Sequence, residues 1–233
     1  MIPGFEAPPV GADAHRLYGV YPALVTDVQD PDGQGRVQLR LPFVPADDGG
    51  AALAWARLAT LMAGGDRGTW FIPEVGDEVL VAFTAGDPRW PVVIGALWNG
   101  VDAPPETMDS NNNLRSITSR SGHKLTFDDS AGGEKVVLET QGGHKLTLDD
   151  ATGGTVTLEH SNGAKIKIDV TGNIEITANV KVKIQAPAGL DITAAMVKVD
   201  AAMSKFSGIV KADAVITNSV VSASYTPGVG NIW

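Results

Sequence analysis

A sequence repeat constrains this chain more than any other feature. Gly122-His123-Lys124-Leu125-Thr126-Phe127-Asp128-Asp129 returns as Gly143-His144-Lys145-Leu146-Thr147-Leu148-Asp149-Asp150, and a weaker copy runs Gly163-Ala164-Lys165-Ile166-Lys167-Ile168-Asp169. The offsets are 21 and then 20 residues. Self-similarity at a fixed period means that one structural unit stacks on the next. Within each copy Leu or Ile alternates with Lys or Thr, the period of a strand with one wet and one dry face. The second half of each unit does the same, in Val136-Val137-Leu138-Glu139 and Val156-Thr157-Leu158-Glu159. Between them lie turns written in Asp, Gly, Ser and Ala, a composition that reverses the chain. From about residue 120 the chain therefore reads as a ladder of short strands.

Such a ladder is too thin to bury itself, because each strand offers only two or three inward side chains. It needs either a closed solenoid coil or other chains to supply the missing walls. A single-chain β-solenoid stacks apolar positions on several faces; here the apolar residues point one way. The pattern favours several identical chains wound together over one chain coiling alone.

Charge divides the chain near residue 115. Residues 1–115 hold seven Arg, no Lys and fifteen acids, whereas residues 116–233 hold ten Lys, one Arg and twelve acids. An acidic first half opposes nucleic-acid binding, which requires a basic footprint. There is no cysteine, so neither disulfides nor thiolate metal sites are available. Met1 to Gly11 lacks a basic region followed by an apolar run, so no signal peptide is expected, and no apolar run reaches the ~20 residues of a membrane-spanning helix.

The first half reads as short strands and turns. Residues 1–14 form an arm rich in Pro, Gly and Ala. Val20 to Val28 is extended, Asp30-Pro31-Asp32-Gly33-Gln34-Gly35 turns, and Arg36 to Leu41 alternates polar with apolar. The sequence predicts a loop over 42–53, a strand from Trp55 to Leu61, a turn at Gly64-Gly65-Asp66-Arg67-Gly68, and strands at Val79 to Phe83 and Pro91 to Leu97. About five strands joined by short turns fit a small closed barrel of the OB type.

The run Phe71-Ile72-Pro73-Glu74-Val75-Gly76-Asp77-Glu78-Val79-Leu80-Val81, followed by Gly86-Asp87-Pro88-Arg89 and by Pro91-Val92-Val93-Ile94-Gly95-Ala96-Leu97-Trp98-Asn99-Gly100, resembles the OB-fold domain of contractile-tail spike proteins. These comprise the central spikes of contractile phages, the baseplate assembly protein V group, and VgrG of type VI secretion. The resemblance continues through Ser119-Arg120-Ser121-Gly122-His123-Lys124 into the repeats, which look like the start of that family's triple-stranded β-helix. It implies an all-β fold: an N-terminal OB-fold barrel followed by a C-terminal intertwined trimeric β-helix needle. The corresponding division is an arm at 1–14, the OB-fold domain at 15–100, a linker at 101–118, and the spike with its tip at 119–233.

The resemblance further implies a non-enzymatic homotrimeric central spike. It would dock to a baseplate hub protein by its OB collar and pierce the target cell envelope when the sheath contracts. A PAAR-type tip protein would cap it, and cargo effectors could ride on the tip. The protein would be assembled in the cytoplasm and reside in the baseplate of a virion or tail-like particle. The absence of a fused hub from these 233 residues argues against a full VgrG. The alternative is a β-helical glycan-binding or depolymerase fibre. Against it, residues 116–232 hold only Phe127, Phe206 and Tyr225 as aromatics, too few to line a glycan groove. The interval between barrel and needle, about twenty residues, has no room for a lytic domain.

Candidate sites are few. The last residues end on an apolar group, and Val229, Asn231, Ile232 and Trp233 are the candidate surface for the tip protein; the alternative is that Ile232 and Trp233 fold back and plug the fibre. His123 and His144 occupy equivalent repeat positions, which repetition alone explains. Spikes of this family that hold an apical iron use a His-x-His pair. None occurs here and no histidine follows His160, so no metal is expected. Asp128-Asp129 and Asp149-Asp150 lack the glycine pattern of calcium-binding repeats and read as solvated turns. No nucleophile elbow, P-loop or dinucleotide motif is present, so neither catalytic residues nor a cofactor are expected. Four of the five tryptophans lie in the barrel half; core packing accounts for most, and Trp90, between Pro88 and Pro91, is a candidate interface residue.

Overall fold

The computed structural model describes residues 16–46 and 49–223, whose regular elements are all β-strands apart from two single-turn 3-10 segments. The chain divides into two compact units, Met1–Lys181 and Val182–Trp233. The first unit begins with β1 (Val20–Asp27), β2 (Val37–Pro45), β3 (Ala51–Leu58), a small hairpin of β4 (Ala63–Gly64) and β5 (Arg67–Gly68), β6 (Glu78–Phe83) and β7 (Pro91–Ala96). Five of these close into a barrel in the order β1-β2-β3-β7-β6. All pairs are antiparallel except β3 with β7, which closes the ring in parallel through Arg57↔Val92 and Leu58↔Val93.

Alternation explains the barrel's core. Val37, Leu39 and Leu41 on β2, and Val79, Val81 and Phe83 on β6, point inward with Ala23, Val25, Ala56 and Val93. Leu39 has no exposed surface, and burying such a side chain contributes about 1.5–3 kcal/mol. Tyr21, Phe43 and Phe83 close one end, with the Tyr21 and Phe43 rings stacked at 4.7 Å and Phe43 edge-on to Phe83 at 6.2 Å. The Asp30–Arg36 turn is clamped by one carboxylate. Asp30 accepts the backbone N–H groups of Asp32, Gln34 and Arg36 and binds the Arg36 guanidinium at 2.6 Å.

Two strands are longer than the sequence suggests. β2 runs to Pro45 and β3 begins at Ala51, so the loop predicted over 42–53 shrinks and the third strand starts four residues before Trp55. Ala51, Ala52 and Ala54 favour strands only weakly. Pairing overrides this: Leu39↔Ala54, Arg40↔Leu53 and Leu41↔Ala52 hold register until an irregularity before Pro45↔Ala51.

A seven-stranded antiparallel sheet follows, its strands in sequence order. They are β8 (Leu114–Thr118), β9 (Lys124–Asp128), β10 (Lys135–Glu139), β11 (Lys145–Asp149), β12 (Thr155–Glu159), β13 (Lys165–Ile168) and β14 (Ile174–Thr177). β8 occupies the end of the stretch that reads as a link between barrel and ladder. The tight turns share one design. At Gly122, Gly143, Gly163 and Gly172 the glycine N–H donates to the carbonyl three residues back, and φ is +81° to +89°, a region that only glycine enters without strain.

No strand is assigned after Thr177 among the described residues. The alternating segments Lys181-Val182-Lys183-Ile184 and Val197-Lys198-Val199-Asp200 lie between bends rather than in a paired ladder. Those bends fall at 187–188, 195, 202, 207–208, 213, 218 and 223, so the runs between them shorten from six residues to four.

Candidate functional site

The ladder's function resides in how its two faces differ. Cross-strand pairing aligns Ile117, Leu125, Leu138, Leu146, Leu158, Ile166 and Ile176 in one continuous row. Two residues along each strand, Phe127, Val136, Leu148, Val156, Ile168 and Ile174 form a second row. Residues two apart share a face, so these rows make one apolar strip. Arg115 stands at its first position, opposite Phe127, and binds Asp129 at 2.5 Å; the second row thus becomes apolar only from β9.

The opposite face is polar and ordered by charge. Lys124, Glu139, Lys145, Glu159 and Lys165 alternate in sign across successive strands, with Lys145 3.1 Å from Glu139. Opposite charges facing one another favour this register, and a one-residue slip would turn every apolar side chain to the wrong face.

In one chain the strip is uncovered. Leu138 is 50% exposed and Leu158 53%, and no described residue from 114 onward is buried. A contiguous apolar strip of this length marks an association surface. The bend-punctuated second unit has the same incompleteness: Val182, Ile184, Val197 and Val199 all remain exposed.

The edge of the ladder carries the histidines. His123 Nδ1 accepts the N–H of Gln141, and His144 Nδ1 accepts that of Ser161, both at 3.2 Å. Each imidazole therefore ties its own turn to the next turn along the same edge, and the His144 and His160 rings lie 4.2 Å apart. No set of three or more metal-ligating side chains occurs among the described residues. Asp128, Asp149 and Asp169 cap turns by accepting the N–H groups of Ser130, Ala151 and Thr171.

The resolved carboxylate shifts point downward. The Arg36 guanidinium, then the turn's N–H groups, hold Asp30 well below the usual carboxylate range. Asn173 and Thr171 do the same for Asp169, and Lys124 and Ser116 lower Glu106. A general acid needs the opposite shift; these groups are structural anchors. Val229, Asn231, Ile232 and Trp233, the candidate tip surface, lie outside the described residues.

Sequence reasoning singled out Trp90 as a candidate interface residue but missed the cluster around it. Arg36, Trp55, Arg57, Arg89 and Trp90 line one cleft, and the parallel β3–β7 pairing that assembles it leaves no local sequence signal.

Comparison with known proteins agrees with this architecture. Residues 21–98 match the family model of the type VI secretion system/phage-baseplate injector OB domain. Residues 135–204 match that of the phage baseplate V C-terminal trimerisation domain, which takes in β10 to β14 and the first bends beyond. Among curated proteins, the chain is 30% identical over 131 residues to the actin cross-linking toxin VgrG1 of Vibrio cholerae, covering 51% of this chain and 12% of that protein. It is 31% identical over 116 residues to the type VI secretion system spike protein VgrG3 of Vibrio cholerae, covering 47% and 11%. It is 30% identical over 148 residues to the spike protein VgrG4b of Pseudomonas aeruginosa, covering 59% and 18%. The chain spans less than a fifth of the length of each of these relatives. With a closed injector-type barrel, an open strand ladder and a matching trimerisation domain, this chain belongs to the phage-baseplate V and VgrG-like family of spike proteins.

Proposed function

We propose that the protein is the non-enzymatic homotrimeric central spike of a contractile injection system. One observation carries this reading: the two-row apolar strip of β9–β14 has no cover in its own chain and runs into the segment matched to a trimerisation domain. Three chains wound about a common axis would turn their strips inward and leave the Lys/Glu face outside. Folding and assembly of the ladder are then a single event, because its burial exists only in the trimer. A fibre of this kind has a charged exterior and resists local opening, as a piercing element requires.

The proposed course of the chain is a barrel collar at residues 15–100, a linker at 101–118, and a needle from 119 to the tip at 233. The collar seats on the baseplate hub. The runs that shorten from six residues to four make successive rungs narrower, so the needle tapers. Val229, Asn231, Ile232 and Trp233 are the proposed contacts of a PAAR-type cap and its cargo. The sheath supplies the work of contraction and the spike transmits it into the target envelope. Phe127 belongs to the apolar strip, which leaves the ladder's outer face without the aromatic groove that a glycan-binding fibre would need.

Gold-labelled antibody against this chain, applied to purified particles from the producing cells, tests the reading. Label at the baseplate end of contractile particles supports it; label along side fibres, or none on particles, overturns it.

A further inference from the structure

The outer face of β2, β3 and β7 runs against the charge of its own half of the chain. Residues 1–115 carry fifteen acids against seven arginines. Yet Arg36, Arg57 and Arg89 converge on a cleft of about 380 Å³ with Leu53, Trp55 and Trp90 in its lining. Alternation on β3 builds this face: Ala54 and Ala56 pack toward the barrel core, so Leu53, Trp55 and Arg57 turn outward. The carboxylates nearby are already engaged. Asp30 and Asp32 each hold Arg36 at 2.6 Å, and Asp87 holds Arg89 at 2.6 Å. The Arg36 guanidinium also lies 5.8 Å from the centre of the Trp55 ring. Arg57, and Arg40 on the adjacent strand, make no ion pair among the described residues. Trp90 is 47% exposed and Leu53 58%, and the barrel core requires neither.

An unneutralised guanidinium beside exposed tryptophan is the composition of a protein-interface hot spot. Resting on the spike reading above, we infer that this cleft docks a protein segment that presents a carboxylate next to aromatic or proline side chains, carried by another baseplate component that seats the collar. Arg57 takes the carboxylate in a two-point hydrogen-bonded pair, and Trp90 and Leu53 take the apolar neighbour. Single-stranded nucleic acid also uses arginine and aromatic rings. Here, however, a continuous row of phosphates would meet Arg36 and Arg89 already paired with Asp30, Asp32 and Asp87, whereas a peptide brings one or two acids to the arginine that lacks one.

The test is photo-crosslinking in intact particles. The full chain carries benzoylphenylalanine in place of Leu53, particles are assembled and irradiated, and the joined peptides are sequenced by mass spectrometry. The expected product is a segment of a different baseplate polypeptide with Asp or Glu within about three residues of the cross-link. Arg57→Glu is expected to lower incorporation of the spike into particles by about tenfold or more, and Arg57→Lys by less than about threefold, both with unchanged solution mass. If Arg57→Glu fails to fold, the cross-link made with Arg57 in place still decides. Cross-links to nucleic acid, to a second copy of this chain or to a segment without acids overturn the inference, as does normal incorporation of Arg57→Glu and Trp90→Ala. Wild-type protein missing from particles instead overturns the spike reading, so the two failures are told apart.

Discussion

The barrel and the ladder are both antiparallel β structures with strict alternation, yet only one of them completes itself. The barrel closes its sheet and buries Leu39, Leu41, Val79 and Val81 within one chain. The ladder has comparable apolar side chains at the same spacing and buries none of them. What differs is closure. A sheet that joins its own edge makes an inside; a sheet that meanders to Thr177 makes only a face. The barrel's stability is therefore a property of the chain, whereas the ladder's is a property of the assembly.

That contrast can be broken deliberately. The largest effect is expected from Leu146→Asp, in the middle of the first row. A carboxylate forced into the dry centre of a trimer costs ~3 kcal/mol or more per chain. Analytical ultracentrifugation should show loss of the trimer, while near-ultraviolet circular dichroism of the barrel tryptophans persists. Leu39→Ala should do the reverse. It costs about 2–5 kcal/mol, read as a lower first transition in calorimetry with the trimer still intact.

Acid should weaken the barrel through Asp30. Its folded pKa lies below the usual range because of Arg36 and the turn N–H groups, while an unfolded Asp titrates near ~4. A depressed folded pKa gives stability that is present above the unfolded value and lost as pH falls through the folded one. The barrel's melting temperature should fall between about pH 5 and pH 2, and Asp30→Asn should flatten part of that decline. The smallest effects belong to the ladder's periphery. His144→Ala should speed amide exchange at Ser161 by several-fold through loss of one acceptor, without changing mass. Thr157→Lys, on the wet face opposite Thr147, should leave both mass and melting temperature unchanged; dissociation there would reverse the assignment of the two faces.

The ladder was legible because its information is local. Alternation fixes which side chains share a face, and Gly122, Gly143 and Gly163 mark the reversals. The barrel's inward residues on β2 and β6 are readable for the same reason. Features that depend on distant partners were not. Ala51 to Ala54 form a strand because β2 is beside them, and Leu114 to Thr118 because β9 is. The cleft exists because Arg57 and Val92 are parallel neighbours. The end of strand pairing at Thr177 is equally invisible in a sequence whose Lys/Val alternation continues through Lys183 and Lys198, although no further strand follows among the described residues.

The most direct test of the central claim is the absolute mass in solution, by light scattering on a sizing column. A chain of 24.3 kDa that completes its ladder only with two others should run as a single species of about 73 kDa. It should keep that mass on dilution. A stable monomer near the chain mass, with the ladder's amides protected from exchange, would contradict the account, because the apolar strip would then be covered from within one chain.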